Sequence, residues 1–441
     1  MHKKFNYKSI DELKSDIESL GFDLGISDDF SVFSKPVKIG NHTLKNVLVT
    51  HPMEGGDSDE QGAPTNLTFR KYELAAKGGS GLIWLEAVSV NQEGRSNKGQ
   101  LYINDKTLSK FKDLVQSIHE ASSDGKPLTI LQLNHSGRYS KPKGKSAPII
   151  ASYIPELDER INLSPEHPIV TDEYLDSVSD DFVKASLLAK EAGFDGVDIK
   201  ACHGYLLHEL LSCFNRSGKY GGSFDNRTRL MLDIIDHVRK AIPDPDFLIS
   251  SRINLYDALP RTLGWGMDSK DFTKVDLAEP IKLASEFIKR GVTLINTTMG
   301  NPYFIPHINR PYDQGAYIPN EHPLEGVYRL IHNTKLMQKA IPEAQFVGAG
   351  YSWLREFSPY VAAWVLKNGG ASLIGYGRLF IAYPDFAKDI LSGGLQKRKI
   401  CISCSKCSML KREIGTCGCV IRDGEYYLQM YTETFGKGLK E

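Results

Sequence analysis

The chain has 441 residues, 41% of them apolar and 24% charged, the range of an ordinary folded protein with a sizeable core. Lys plus Arg equals Asp plus Glu at 54 each, so net charge gives no long-range pull toward nucleic acid or an anionic membrane, and neither is expected as a partner. No stretch reaches the ~18 consecutive apolar residues of a spanning helix, and the basic N-terminus is not followed by the apolar run of a secretory signal, so a cytoplasmic location is expected.

Residues 1–30 read as an appended helical segment. Ile10, Leu13, Ile17 and Leu20 recur at helical spacing, and Gly21 follows as a C-terminal stop. Residues 31–45 predict a short hairpin turning near Gly40 and Asn41. A rhythm of short apolar runs then begins at 46–53, 81–88, 127–134, 196–200, 247–253, 292–298, 345–350 and 371–377. Their hydrophobicity is continuous rather than alternating, which fits strands covered on both faces, as in a parallel sheet. Amphipathic patterns lie between them. The clearest spans 172–192, with Leu175, Val178, Phe182, Ala185 and Ala189 on one stripe and Gly193 just after. Others fit 107–121, 225–240, 277–289, 325–340, 354–368 and 384–393.

Eight strands alternating with helices is the count of an α/β (β/α)₈ barrel, a TIM barrel, expected over 31–395. A doubly wound sheet is the alternative, but no GxGxxG follows the first strand. Three long loops, 137–170, 254–276 and 300–323, leave the C-terminal ends of strands, where such barrels build their active sites. Polar residues gather at those same ends: Glu54, Glu86, Gln132, Lys200, His203, Arg252, Asn296 and Arg378. Any one of them could be a solvated strand terminator. As a set, a closed barrel would bring them to one mouth.

Several segments carry a resemblance in order and spacing: KIGNHTLKNVLVTHPM, GLIWLEAVSVNQEGR, QLNHSGR, DGVDIKACHGYLLHELLS, NRSGKYGGSFDNRTR and IGYGRLFIAYPDF. Over roughly 31–395 the chain resembles the old yellow enzyme family of FMN-dependent reductases. The resemblance implies that Pro52, Met53 and Glu54 run under the flavin with Ala87 beside it. It implies that Gln132 bonds the pyrimidine edge, that Arg252 lies near N1 and O2, and that the backbone of Gly348–Gly350 and of Gly377–Arg378 holds the phosphate. Glycines opening onto helices after the last two strands agree with that cradle, and an arginine beside N1 would favour reduction.

The family's substrate pair is commonly two His, or His and Asn, three residues apart. Here it reads Lys200 and His203, with Tyr205 at the place of the family's proton donor. Lys200 adds a fixed charge. It could anchor a substrate carboxylate, or it could pair with Glu54, which stands where the family has a small hydroxyl or thiol. Aromatic and imidazole residues of the third long loop (Tyr303, Phe304, His307 and Tyr312) are expected to roof the pocket.

Seven cysteines are present, five of them within residues 401–419. Residues 396–441 therefore read as a Cys-rich tail. Cys401, Cys404, Cys407 and Cys419 resemble the cluster ligands of the iron–sulfur branch of the same family, the dienoyl-CoA reductase and trimethylamine dehydrogenase group, with Cys417 as the spare. Four thiolates suit [4Fe–4S] or zinc, and spacing alone does not separate these from an empty site. The relatives' second, dinucleotide-binding domain is not expected in this chain. Electrons are expected from NAD(P)H directly or from a separate donor protein. The expected activity is an ene-reductase-like hydride transfer to an activated, carboxylate-bearing alkene as small-molecule substrate, by a homo-oligomer. The alternatives are amine dehydrogenation, a Schiff-base lyase using Lys200, or a non-catalytic electron-transfer subunit.

Overall fold

A computed structural model describes residues 1–261 and 263–436. A hairpin of β1 (Val37–Ile39) and β2 (His42–Leu44), with Gly40 at φ 56°, precedes the sheet. Eight strands follow: β3 (Leu48–Thr50), β4 (Leu82–Ser89), β5 (Leu128–Asn134), β6 (Gly196–Ile199), β7 (Leu248–Asn254), β8 (Leu294–Thr298), β9 (Gln345–Gly348) and β10 (Leu373–Tyr376). They are parallel and close into one barrel in chain order, β10 returning to β3. Nearly every strand residue is buried, because barrel side chains fill the inside while helices cover the outside; the continuous apolar runs are the sequence record of this double burial. The pairing of β4 with β5 shifts between Leu85 and Val88, which turns Glu86 and Ala87 out of regular register at the active end.

The helix Asp172–Ala192 has the expected bounds. Thr171 caps it by accepting the Tyr174 N–H, and Gly193 ends it at φ 95°. The first helix of the barrel, Asn66–Lys77, is absent from the sequence expectation, although Tyr72, Ala75 and Ala76 are buried at helical spacing and Gly78–Gly79 follow. Its charged and β-branched residues dilute the apolar stripe. The single helix expected over 354–368 is broken instead. Tyr351–Phe357 turns tightly, Arg355 takes φ 48°, and a helix restarts at Ser358–Lys367 with Pro359 in its first turn, where a missing N–H costs nothing.

The N-terminal helix Ile10–Ser19 buries Leu13 and Ile17 in the barrel's own core cluster, and Gly21 at φ 71° ends it. The tail carries two further helices, Lys406–Ile414 and Gly424–Phe435, which share a small cluster of Leu410, Val420, Tyr427 and Tyr431. Among the described residues no helix is long and apolar enough to cross a membrane.

Candidate active site

The C-terminal ends of the strands open into one cavity of about 1120 Å³. Pro52, Met53, Glu54, Ala87, Gln132, Lys200, His203, Tyr205, Arg252, Gly350, Gly377 and Arg378 all line it. Three expected mouth residues sit deeper. Gly348 offers its carbonyl to His51 Nε2 (3.3 Å), and Asn296 bonds His51 Nδ1 (3.1 Å). Glu86 is fully buried, accepting from Gly55 N (2.6 Å) and pairing with Lys71, which also reaches Asp57 (3.2 Å). This buried Lys71–Glu86–Asp57 group anchors the turn that carries Glu54.

Basic side chains dominate the cavity wall, ten against three carboxylates, in a chain of zero formal net charge. Arg252 is 8% exposed, and its Nε has no hydrogen-bond partner. Arg378 keeps an unpartnered Nε and donates to Ser408 Oγ (2.9 Å); Arg310 donates to the same oxygen (2.9 Å) and to Ser405 (3.0 Å). Burial, and then the neighbouring Arg378, pull the Arg310 guanidinium down to about 9. Among the described residues these three guanidiniums have no carboxylate partner, and a cation so shielded from water is costly unless an anion arrives.

Gln132 donates to Asp198 Oδ2 (2.6 Å), which also receives Trp84 Nε1 (2.8 Å), while Asp198 Oδ1 takes the Arg252 backbone N–H (2.7 Å). Burial raises the Asp198 carboxyl to about 6 against these donors.

Lys200 does not pair with Glu54. It makes no ion pair among the described residues, and its Nζ lies 4.1 Å from the Tyr205 ring centroid. Burial lowers the Lys200 ammonium below the ordinary lysine range. Glu54 is taken instead by Lys411 from the tail (2.7 Å), with Ser96 Oγ (2.5 Å) and Asn97 Nδ2 (2.9 Å) donating to the same oxygen. Burial pushes the Glu54 carboxyl up, but Lys411 and then Lys200 outweigh it and hold it below the usual range.

His203 takes a left-handed backbone (φ 67°) ahead of Gly204 (φ 74°), a turn fixed by the Gly204 N–H bond to His208 Nδ1 (2.7 Å); His208 Nε2 lies 2.7 Å from Asp257 Oδ1. Asn309 Nδ2 donates to His203 Nε2 (3.0 Å). Burial, reinforced by Lys200 and Arg252, drives the imidazole well below its ordinary range, so it is neutral. The Tyr205 hydroxyl meets Tyr303 OH (2.9 Å) and Glu54 Oε2 (3.5 Å), and burial raises its phenol well above the ordinary range. Tyr303 stacks on Tyr139 at 3.8 Å. Of the expected roof, Tyr303 and Phe304 line the cavity, whereas His307 turns to Tyr317 OH (2.7 Å) and Tyr312 is buried behind Arg310. Sequence reasoning missed Asn309, Ser96, Asn97 and the whole contribution of the tail: Ser403, Ser408, Lys411 and residues 412–417 close one side of the cavity. Nothing in the spacing of the cysteines signals this.

The expected ligand set is only partly assembled. Cys401, Cys404, Cys407 and Cys419 line one small cavity of about 20 Å³, yet among the described residues no three His, Cys, Asp or Glu converge as a metal-binding group. Cys417, expected as the spare, lines the large cavity, and its thiol beside Cys407 holds the Cys407 thiol well below its ordinary range. Cys419 Sγ accepts the Arg422 N–H (3.3 Å).

A parallel barrel with its cavity at the C-terminal mouth defines an enzyme-type (β/α)₈ scaffold. The model of the NADH:flavin oxidoreductase / NADH oxidase family matches residues 31–396, and the chain belongs to that family. It is 30% identical over 357 residues to an NADPH dehydrogenase of Bacillus subtilis (strain 168), covering 80% of this chain and 92% of that one. It is 26% identical to an NADH oxidase of Thermoanaerobacter brockii over 83% of this chain, but spans only 52% of that protein. In fold it is similar to an old yellow enzyme homologue from Zymomonas mobilis (TM-score 0.61, 22% identity, 83% of this chain and 94% of that one). The family resemblance and the barrel expected from the sequence are both borne out.

Proposed function

We propose that this chain is an FMN-dependent NAD(P)H oxidoreductase that reduces an activated alkene bearing a carboxylate or other anionic group. The cavity suits such a cofactor. The buried, partnerless Arg252 Nε is the observation that carries this reading, because an unpaired guanidinium facing a cavity calls for an electron-rich ligand edge. At the other end Gly350, Gly377 and Arg378 offer backbone and charge to a phosphate, and a Cβ on Gly377 would meet Met53 Sδ at 2.9 Å. Pro52, Met53, Ala87 and Gln132 would line the ring system. Bound there, FMN would supply a two-electron carrier able to accept hydride from NAD(P)H and pass it to substrate.

The chain's own residues do the rest. Lys200 holds the substrate anion, neutral His203 donates a hydrogen bond to the activating group, and Tyr205 delivers a proton to the α-carbon. Tyr303, hydrogen-bonded to Tyr205 and 47% exposed, links that proton to solvent. Acid extraction and chromatography should release stoichiometric, non-covalent FMN. FAD, or no flavin after reconstitution with FMN, would sink the reading.

A second reading rests on Lys200 itself, a buried lysine of lowered basicity with no ion-pair partner among the described residues, as a Schiff-base nucleophile would be. Colourless protein trapped by borohydride with a carbonyl substrate would favour it. For the tail we propose one metal centre at Cys401, Cys404, Cys407 and Cys419, supported by their shared small cavity. About four iron with labile sulfide would mean a cluster, and one zinc a structural clip. Absence of both from anaerobic protein would mean a thiol site only.

A further inference from the structure

The geometry points to Lys411 as a specificity-determining residue: carried by the cysteine tail, it pairs off Glu54 and so leaves Lys200 free to take an anionic substrate. This rests on the reading of Lys200 as the substrate's anion anchor. Glu54 lies close to that anchor. Its Oε2 is 3.5 Å from the Tyr205 hydroxyl, and the Lys200 ammonium sits over the same tyrosine's ring. An unneutralised carboxylate here would attract Lys200 and repel an incoming anion. Lys411 Nζ sits 2.7 Å from Glu54 Oε1, the oxygen other than the one Tyr205 meets, and shares it with Ser96 and Asn97.

The tail is fastened where this pairing needs it. Cys417 N donates to Gly55 O (2.7 Å), one residue from Glu54, and a Cβ on Gly56 would meet the Gly415 carbonyl at 1.7 Å. Arg70 grips Asp423 with two hydrogen bonds of 2.8 and 2.9 Å. Lys411 is therefore presented by a helix whose far end is stitched to the Glu54 turn, rather than by a free surface side chain. Lys411 is a positioning residue, acting on substrate through Glu54 and Lys200.

The test uses the flavin-loaded, full-length protein titrated with cinnamate and with cinnamamide, which differ in charge at nearly constant shape. Wild type should bind cinnamate more tightly. Lys411→Met should weaken cinnamate about tenfold and the amide by less than about twofold. Lys411→Arg should keep the preference, and Glu54→Gln combined with Lys411→Met should restore cinnamate binding, because the unpaired charge is gone. Equal weakening of both ligands in Lys411→Met, an unchanged ratio, or no recovery in the double variant would overturn the role of Lys411. A wild type with no preference for cinnamate would defeat the anion-anchor reading itself and this inference with it. If Lys411→Met does not fold, the double variant and Lys411→Arg still decide, since a lost preference in either is fatal.

Discussion

Asn309 donates its side-chain amide to Nε2 of His203 across 3.0 Å, and an amide nitrogen can only donate. The His203 proton must then reside on Nδ1, so one residue of the third long loop sets the tautomer of the imidazole proposed to meet substrate. Asn309→Leu should free the ring to exchange tautomers. The expected loss in kcat/KM for alkene reduction is about tenfold, roughly 1.4 kcal/mol. Reduction of the flavin by NAD(P)H, followed separately by stopped flow, should be nearly unchanged. Equal losses in both half-reactions would show that Asn309 shapes the cavity as a whole.

Tyr205→Phe should slow alkene reduction by ~10²–10⁴-fold, the usual contribution of a positioned general acid, while sparing flavin reduction. Tyr303→Phe removes only the outer hydroxyl of the pair. It should slow the same half-reaction by a smaller factor and increase its dependence on buffer concentration. Equal effects of the two substitutions would mean that Tyr205 does not donate the proton directly.

Lys200 gives a pH prediction whose sign is fixed by burial. Its basicity is lowered from the ordinary lysine value, so the ammonium proposed to bind the substrate anion is lost at lower pH than an exposed lysine would allow. KM for an enoate should rise with pH below the ordinary lysine range, while KM for a neutral enone stays flat. Lys200→Met should remove the rise. A rise that persists in Lys200→Met would assign the titration to another group.

Gly375 sits in the last strand with no space beside it. A Cβ there would meet His51 Nε2 at 1.8 Å, and moving the ring would break its bonds to the Gly348 carbonyl and to Asn296. Gly375→Ala should destabilise the barrel by ~1–3 kcal/mol or more and weaken flavin retention. Gly424→Ala is the control, because its nearest neighbour would be 3.6 Å away. Similar melting temperatures for the two variants would contradict the tight fit.

The barrel was legible because double burial writes itself as apolar runs, and each of the eight runs covers a strand to within one residue. The helix Asn66–Lys77 was not, because Arg70, Lys71 and Glu73 interrupt its stripe and Lys71 is buried for charge pairing rather than for apolarity. In the site, residues at strand ends such as Gln132, Lys200 and Arg252 could be placed at the mouth from the strand pattern. Asn309 and Lys411 could not, since a loop and a tail helix reach the mouth through tertiary contacts that no local pattern encodes. The pairing of Glu54 likewise depends on which of two lysines arrives. Lys200 is near in the motif, but Lys411, 357 positions away, makes the bond.

The Asp313 carboxylate joins parts of the chain far apart in sequence. Its oxygens accept the Phe5 N–H (3.0 Å), the Trp353 indole (2.7 Å) and the Arg355 guanidinium (2.6 Å), while its backbone N–H reaches the Ser403 carbonyl (3.3 Å). The segment before the barrel, the third long loop, the turn after the seventh barrel strand and the cysteine tail thus share one fastening. These pieces cannot be exchanged singly with those of a relative. A chimera that imports a different third loop, or a chain begun at residue 31, would leave Trp353 and Arg355 without their common acceptor or strip it of a backbone donor. Loosening would spread to the end of the cavity that Gly350 and Arg378 line, so engineering for new substrates should graft the four segments together or keep Asp313 and its partners fixed.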